Sequence, residues 1–401
     1  MPKQRRHRIF AFGLFCALLI IGVTKPAKAQ LSHKNYELEA RMHYGYLYFQ
    51  NDTYHSALSR YSRHAPAIEL SLHRNTYGEH RWEVLHNHPS IGLTFYYSGF
   101  GNDSISAELG KVFALYPFIN FPITPGESSK LTFKLGVGVS FLTNKFDPKE
   151  NYHNYAIGSH VNAAVNLSFE YRQRIVDRLH WVTSVGLTHF SNGSTRTPNM
   201  GINIFSVATG LSWYLAPPKA HIDKRLRPEN YLFEFDGKRH FVTDYQYTLG
   251  FKDMSQQYGT HSYFYVHDLA ANFMFQITER DRLGLGIELV YDNSDKLTKP
   301  DWNLYLKPGF LMAYEMMLDR VSFMFNLGIR NNEPLPAKAF LFYQKVALRY
   351  YLNESLFATL AFTTYDIKAD FISIGIGYHI KHKYYLPNHE KKSHRSPVFP
   401  R

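Results

Sequence analysis

A single cysteine occurs in the 401 residues, Cys16, and it sits inside an N-terminal stretch that reads as an export signal. Lys3, Arg5, Arg6 and Arg8 precede the apolar run Ile9–Val23, and Ala27-Lys28-Ala29 offers small residues at the two positions a signal peptidase reads. Residues 1–29 are therefore expected to be a cleaved signal peptide. The remaining chain has no thiol, which excludes disulfides, a cysteine nucleophile and cysteine-ligated metal. Lipidation of Cys16 is excluded as well, because Phe15 stands where a lipoprotein box needs a small residue. Long apolar runs are missing after residue 29, so no transmembrane helix of roughly 20 residues can form.

Charge of one sign is also scarce where it would matter. The net charge is +12, but residues 1–29 hold six Lys/Arg and no acid, and residues 381–401 hold six Lys/Arg against Glu390. That leaves +1 for residues 30–380. A balanced body lacks the clustered basic face that phosphate backbones require, so nucleic acid is excluded as a partner.

What the chain has in abundance is aromatic residues, 30 Tyr and 31 Phe, at a mean hydropathy of only −0.32. Many aromatics, modest hydropathy and an export signal suit a membrane β-barrel, in which polar lumen residues dilute an apolar outer face. A soluble periplasmic sandwich is the competing architecture. Beyond the signal, ten-residue segments of period-2 alternation recur between polar turns. The first half gives eight: 36–48, 65–74, 90–98, 104–119, 130–141, 159–172, 179–190 and 202–214. Residues 216–239, with Pro217, Pro218 and Pro228, read as a linker. The second half gives eight more: 241–252, 263–278, 283–291, 304–317, 321–329, 339–351, 356–365 and 371–380. The halves are faintly alike, Lys130–Val139 with Arg320–Ile329 and Leu179–Thr188 with Leu356–Tyr365, which suggests duplication. The expected fold is all-β: a transmembrane antiparallel barrel of about 16 strands in two eight-stranded halves. Two barrels, 30–215 and 240–380, are favoured over one because the linker is long for a periplasmic turn. Residues 381–401 form a basic tail.

Chemistry concentrates at the seventh segment. Strand alternation puts Leu179, Trp181, Thr183, Val185, Leu187, His189 and Ser191 on one bulky, mostly apolar face, and small or polar residues on the other. The first face must meet lipid, so His189 and Ser191 project together from the outer wall. A hairpin symmetric about Arg196 sets Asn203 opposite His189. With the N-terminus periplasmic, this end of the strand lies at the outer leaflet, where lipopolysaccharide resides. A serine hydroxyl becomes nucleophilic when an imidazole takes its proton, and a third group must orient that imidazole. Donors for a developing oxyanion are available from the Asn192 amide or from the Asn192 and Gly193 backbone N–H groups.

The run HFSNGSTRTPNMGIN, residues 189–203, resembles the signature of PagL-type lipid A 3-O-deacylases and related acyloxyacyl hydrolase-like proteins: His-x-Ser-Asn, then Pro-Asn-x-Gly. The resemblance extends over residues 36–214 and implies an eight-stranded outer-membrane barrel that removes an ester-linked acyl chain from lipid A, without metal or other cofactor. It implies Ser191 as nucleophile, His189 as its base, Asn192 as an oxyanion contributor, and Asn199 and Gly201 as residues shaping the turn. The chain departs from the pattern at Asn203, where the family carries a Glu. No Asp or Glu lies between Asp177 and Asp223, so an Asn oxygen, or a remote carboxylate such as Glu170 or Glu108, must orient the imidazole. The second half has no His-x-Ser.

Three further histidines, His80, His86 and His88, lie close together but without carboxylate spacing, and are read as surface residues rather than metal ligands. Two functions compete. One is an outer-membrane serine esterase whose partners are lipid A and the outer membrane itself; the other is a non-enzymatic barrel, porin-like or structural, with a relic motif. No protein partner is indicated.

Overall fold

The structure is a computed structural model describing residues 35–48, 61, 63–100, 108–124, 126, 128–218, 239–253, 263–297, 305–331, 340–365 and 368–386. The signal peptide, most of the linker and the end of the basic tail lie outside these residues. Sixteen strands form two closed antiparallel barrels. The first comprises β1 (Tyr36–Tyr48), β2 (Ala67–Asn75), β3 (Ser90–Gly99), β4 (Lys111–Pro122), β5 (Ser129–Leu142), β6 (Val161–Val176), β7 (Leu179–Ser191) and β8 (Ile202–Tyr214). The second comprises β9 (Arg239–Asp253), β10 (Tyr263–Gln276), β11 (Asp281–Asp292), β12 (Leu306–Leu318), β13 (Val321–Asn331), β14 (Phe340–Tyr351), β15 (Leu356–Tyr365) and β16 (Lys368–Leu386). Each barrel closes by pairing its first strand with its last, β1 with β8 and β9 with β16. Of the two closures left open by the sequence, the chain adopts two eight-stranded barrels.

Strand bounds differ at β4, which begins at Lys111 after a positive-φ Gly110 (residues 104–107 of the expected strand lie outside the described residues), and at β16, which runs past Ile380 to Leu386. The internal likeness has a topological counterpart. Lys130–Val139 and Arg320–Ile329 fall on the fifth strand of their respective barrels, and Leu179–Thr188 and Leu356–Tyr365 on the seventh.

The distribution of polarity identifies the solvent. On β1, Glu37, Glu39, Arg41 and His43 point inward and are buried, while Leu38, Met42, Tyr44, Tyr46 and Tyr48 point outward and are exposed. An apolar exterior around a charged interior is stable only when the exterior contacts lipid. Exposed aromatics gather near both ends of the first barrel, Trp181 and Trp213 at one and Tyr46, Tyr48 and Phe205 at the other, as membrane interfaces favour. No helix among the described residues is long and apolar enough to cross a membrane.

Both lumens are filled. In the first, Arg41 bridges Glu69 (2.6 Å) and Glu170 (2.8 Å), Lys134 reaches Glu69 (2.6 Å), and Arg172 pairs with Glu39 (2.7 Å) and Glu37. In the second, Lys345 joins Asp268 (2.5 Å) and Glu288 (2.6 Å), and Arg349 and Arg282 hold Asp244 (2.6 Å) and Glu315 (2.9 Å). Buried charges persist only when paired, and these pairs plug each barrel from wall to wall.

The even strand count brings both ends of each barrel to one side. The connections on that side of the first barrel include the two-residue β6–β7 turn; the opposite side carries the longer segments 143–160 and 192–201. The histidine cluster lies in the β2–β3 connection around the short helix α1 (Arg81–Leu85). His86 there donates from Nε2 to the Met317 carbonyl of the second barrel (2.8 Å). No group of metal-ligating side chains occurs among the described residues.

Candidate active site

The β7–β8 hairpin pairs Leu179 with Trp213 and continues without a bulge to His189 opposite Asn203. His189 and Ser191 lie on the outward face, at the end of the barrel away from Tyr36 and Tyr214. The three polar side chains form a chain. His189 Nε2 is 2.9 Å from Ser191 Oγ, and its Nδ1 is 2.7 Å from Asn203 Oδ1. An amide oxygen can only accept, so the imidazole hydrogen sits on Nδ1 and Nε2 is left to accept from the serine hydroxyl. The amide itself is oriented from β1: Asn203 Nδ2 points at the Tyr48 carbonyl (3.5 Å), and Tyr48 is the register partner of Asn203. That β1 contact went unseen in the sequence, because nothing local marks it.

Backbone conformation shapes the other side of the ring. Gly201 has φ +77°, and a Cβ there would stand 2.8 Å from His189 Cε1. Only glycine both adopts this conformation without strain and lets the imidazole lie against the chain. Between the strands, Thr195 N–H donates to the Asn192 carbonyl (3.3 Å) across Gly193 and Ser194, both at positive φ (+61° and +59°). This is the pattern of a type I′ turn.

Asn192 is committed within that turn. Its backbone N–H donates to Asn199 Oδ1 (3.0 Å), and its Nδ2 donates to Ser159 Oγ (2.9 Å) and the Arg196 carbonyl (2.8 Å). Asn192 was expected to supply an oxyanion donor; in this structure its three hydrogens are engaged by Asn199, Ser159 and Arg196, and it braces the loop. The Gly193 N–H takes part in none of these bonds. Asn199 accepts from Asn192 N–H, and its own Nδ2 is buried without an acceptor among the described residues.

The remote carboxylates do not reach the imidazole. Glu170 is in the lumen, paired with Arg41 and bonded to Asn120 (2.7 Å), and Glu108 accepts from Tyr61 (2.9 Å). The carboxylate that does approach the loop is Asp253 of the second barrel, which accepts from the Thr197 N–H (3.0 Å). Ser191 is only 1% exposed.

A lipid-facing Ser–His–Asn chain at one rim of a closed, charge-filled eight-stranded barrel defines an outer-membrane β-barrel protein with a hydrolase-like site. Residues 67–212 match the family described as lipid A 3-O-deacylase (PagL), and residues 241–382 match the acyloxyacyl hydrolase, C-terminal domain. The first barrel thus belongs to the PagL family and the second to its C-terminal companion domain. Among solved structures, the crystal structure of the outer membrane enzyme PagL is 14% identical, covering 43% of this chain and 97% of that one, with a TM-score of 0.29. The Acinetobacter baumannii outer membrane protein Omp33 is 6% identical over 87% of this chain and 98% of its own (TM-score 0.17). Pseudomonas aeruginosa OccK9 is 10% identical over 86% and 97% (TM-score 0.23). Superpositions this loose add nothing to the strand topology. No curated protein matches the chain.

Proposed function

We propose that the first barrel is a serine esterase that removes an ester-linked acyl chain from lipid A in the outer leaflet. The observation that carries this reading is the unbroken hydrogen-bond chain from Ser191 through His189 to Asn203 on a lipid-facing wall, within a domain of the PagL family.

The proposed reaction passes through an acyl-enzyme. Ser191 Oγ attacks the ester carbonyl carbon while its proton passes to His189 Nε2, 2.9 Å away. Charge develops on the carbonyl oxygen, and the Gly193 N–H is the donor at hand, joined by Asn199 Nδ2, which is buried without an acceptor among the described residues. Collapse breaks the bond to the sugar oxygen, which takes the proton from the imidazolium and leaves as the alcohol. The acyl chain stays on Ser191. A water then gives its proton to His189 Nε2 and attacks the acyl carbon; the bond to Ser191 Oγ breaks, Oγ takes the proton back from the imidazolium, and the fatty acid leaves. Throughout, Asn203 Oδ1 accepts the Nδ1 hydrogen and keeps the ring in the productive tautomer. The uncharged Asn203 stabilises the imidazolium less than a carboxylate does.

The test is mass spectrometry of lipid A from cells producing the wild-type chain or Ser191→Ala. Loss of one acyl chain is expected only with the wild type. Identical spectra would reject the esterase and leave a non-enzymatic barrel with a relic motif.

A further inference from the structure

The second barrel has no Ser/His motif, and its β15–β16 connection offers no nucleophile. It does touch the catalytic loop of the first barrel directly. Asp253, the last residue of β9, donates its N–H to the Ser194 carbonyl (2.8 Å), and its Oδ2 accepts from the Thr197 N–H (3.0 Å). Ser194 Oγ donates to the Ala369 carbonyl at the start of β16 (2.8 Å). The Ile372 side chain packs on Gly193, so that a Cβ built there would lie 3.4 Å from the Ile372 Cβ and collide with its Cγ1. Four contacts from β9 and β16 therefore converge on residues 193–197.

These are the residues whose conformation requires outside support. Gly193 and Ser194 are both at positive φ, and for the non-glycine Ser194 that conformation is unfavourable by itself. A strained turn persists only where its surroundings over-determine it. The Gly193 N–H, the proposed oxyanion donor, lies within the braced turn and two residues from the nucleophile. A shift of about 1 Å in such a group can cost about a hundredfold in rate.

We infer that the second barrel is a positioning element for the active site: Asp253, with the Ala369 carbonyl and Ile372, clamps the 193–197 turn so that the Gly193 N–H is aimed at the developing oxyanion. This rests on the esterase reading above. Asp253 touches no reacting atom and acts through the loop, so it is a positioning residue. It also gives the otherwise motif-free half of the chain a role that explains why both halves share one polypeptide.

The experiment uses the full chain and has two arms. In the first, Gly193→Cys and Ile372→Cys are combined. The mature chain has no other thiol if the signal is cleaved before Gln30, and a Cβ separation of 3.4 Å is close to the roughly 3.5–4.5 Å of disulfides. Oxidation in membranes followed by cleavage at a protease site inserted in the 216–239 linker should leave the halves joined on a non-reducing gel. Halves that separate would overturn the contact. In the second arm, p-nitrophenyl laurate hydrolysis in detergent micelles is followed for the wild type, Ser191→Ala, Asp253→Ala and Asp253→Asn. Asp253→Ala should lower kcat about tenfold to a hundredfold with KM changed less than about threefold, while Asp253→Asn, which keeps an acceptor for Thr197, recovers most of the loss. Heat-modifiable gel mobility confirms that the variants fold. An Asp253→Ala variant with wild-type kcat overturns the proposal, as does an equal loss in both Asp253 variants. If the wild type and Ser191→Ala hydrolyse the ester equally slowly, the esterase reading itself fails and takes the kinetic claim with it, while the cross-link still reports the contact.

Discussion

Replacing Asn203 by leucine keeps a branched side chain but removes both its hydrogen bonds, the short one to His189 and the long one to the Tyr48 carbonyl, and so tests the orienting role of that side chain. In the native site Asn203 Oδ1 takes the Nδ1 hydrogen of His189 at 2.7 Å. Without it a largely buried N–H loses its acceptor, at a cost of about 1–3 kcal/mol. At 1.36 kcal/mol per factor of ten, this corresponds to about a 5- to 150-fold fall in kcat. The loss becomes steeper if the imidazole moves its hydrogen to Nε2 and donates to Ser191 instead of accepting, since the wrong tautomer in a Ser-His site costs about 10⁴-fold. Asn203→Glu works in the opposite direction. A carboxylate beside an imidazolium gains about 4 kcal/mol at ~4 Å in a surface-like dielectric. Two effects offset part of this: charge near the lipid interface costs about 0–1 kcal/mol, and the Nδ2 contact to the Tyr48 carbonyl is lost. Wild-type activity, or a rise of up to about tenfold, is expected for Asn203→Glu. The assay is fatty-acid release from lipid A in micelles, with gel mobility as a check on folding. Wild-type kcat for Asn203→Leu would refute the claim that this amide orients the catalytic imidazole.

Other expectations concern the glycine, the lumen and pH. Gly201→Ala places a Cβ 2.8 Å from His189 Cε1 at φ +77°, so kcat should fall at least about tenfold while the barrel still folds, as read by gel mobility. Glu315→Ala leaves Arg282 and Arg349 facing each other in the second lumen, and thermal unfolding should show a loss of about 3–5 kcal/mol. A Glu315→Ala variant as stable as the wild type would mean that the lumen is wetter than its ion pairs imply. His86, at the contact between the two barrels, has its pKa lowered chiefly by burial, against a smaller opposing contribution from its bond to the Met317 carbonyl. The unfolded chain thus binds the proton first. The stability this contact contributes is complete above the ordinary imidazole value of about 6.5 and is lost as pH falls through the lower folded value. His86→Gln, which retains a donor without titrating, should flatten that dependence in thermal melts across this range.

Much of this could be read from the chain because a lipid-exposed barrel writes its structure locally. Successive residues on β7 alternate faces, and a hydrocarbon solvent forces the apolar set outward; Trp181, Val185 and Leu187 therefore revealed the side from which His189 and Ser191 project. The symmetric hairpin about Arg196 was enough to set His189 opposite Asn203, because register in a closed antiparallel pair follows from a single matched position. Period-2 alternation also carried the count of sixteen strands. Their ends were less legible, as at β16, where pairing with β9 continues past the alternating segment to Leu386.

Tertiary structure decided what depends on partners distant in sequence. That β8 returns to β1 and β16 to β9 depends on pairings across a whole barrel, and equal alternation is compatible with one barrel or two. The commitment of Asn192 to Ser159, Arg196 and Asn199 depends on the loop's three-dimensional path, so residue type alone suggested a donor that is already spent. The Asn203 amide is contacted from Tyr48, and the turn after Ser191 is held by Asp253, each on a strand that no local pattern connects to these residues. Alternation is a property of neighbouring residues in a given solvent and survives in one dimension. Hydrogen-bond occupancy is a property of space, and exists only once the chain has closed.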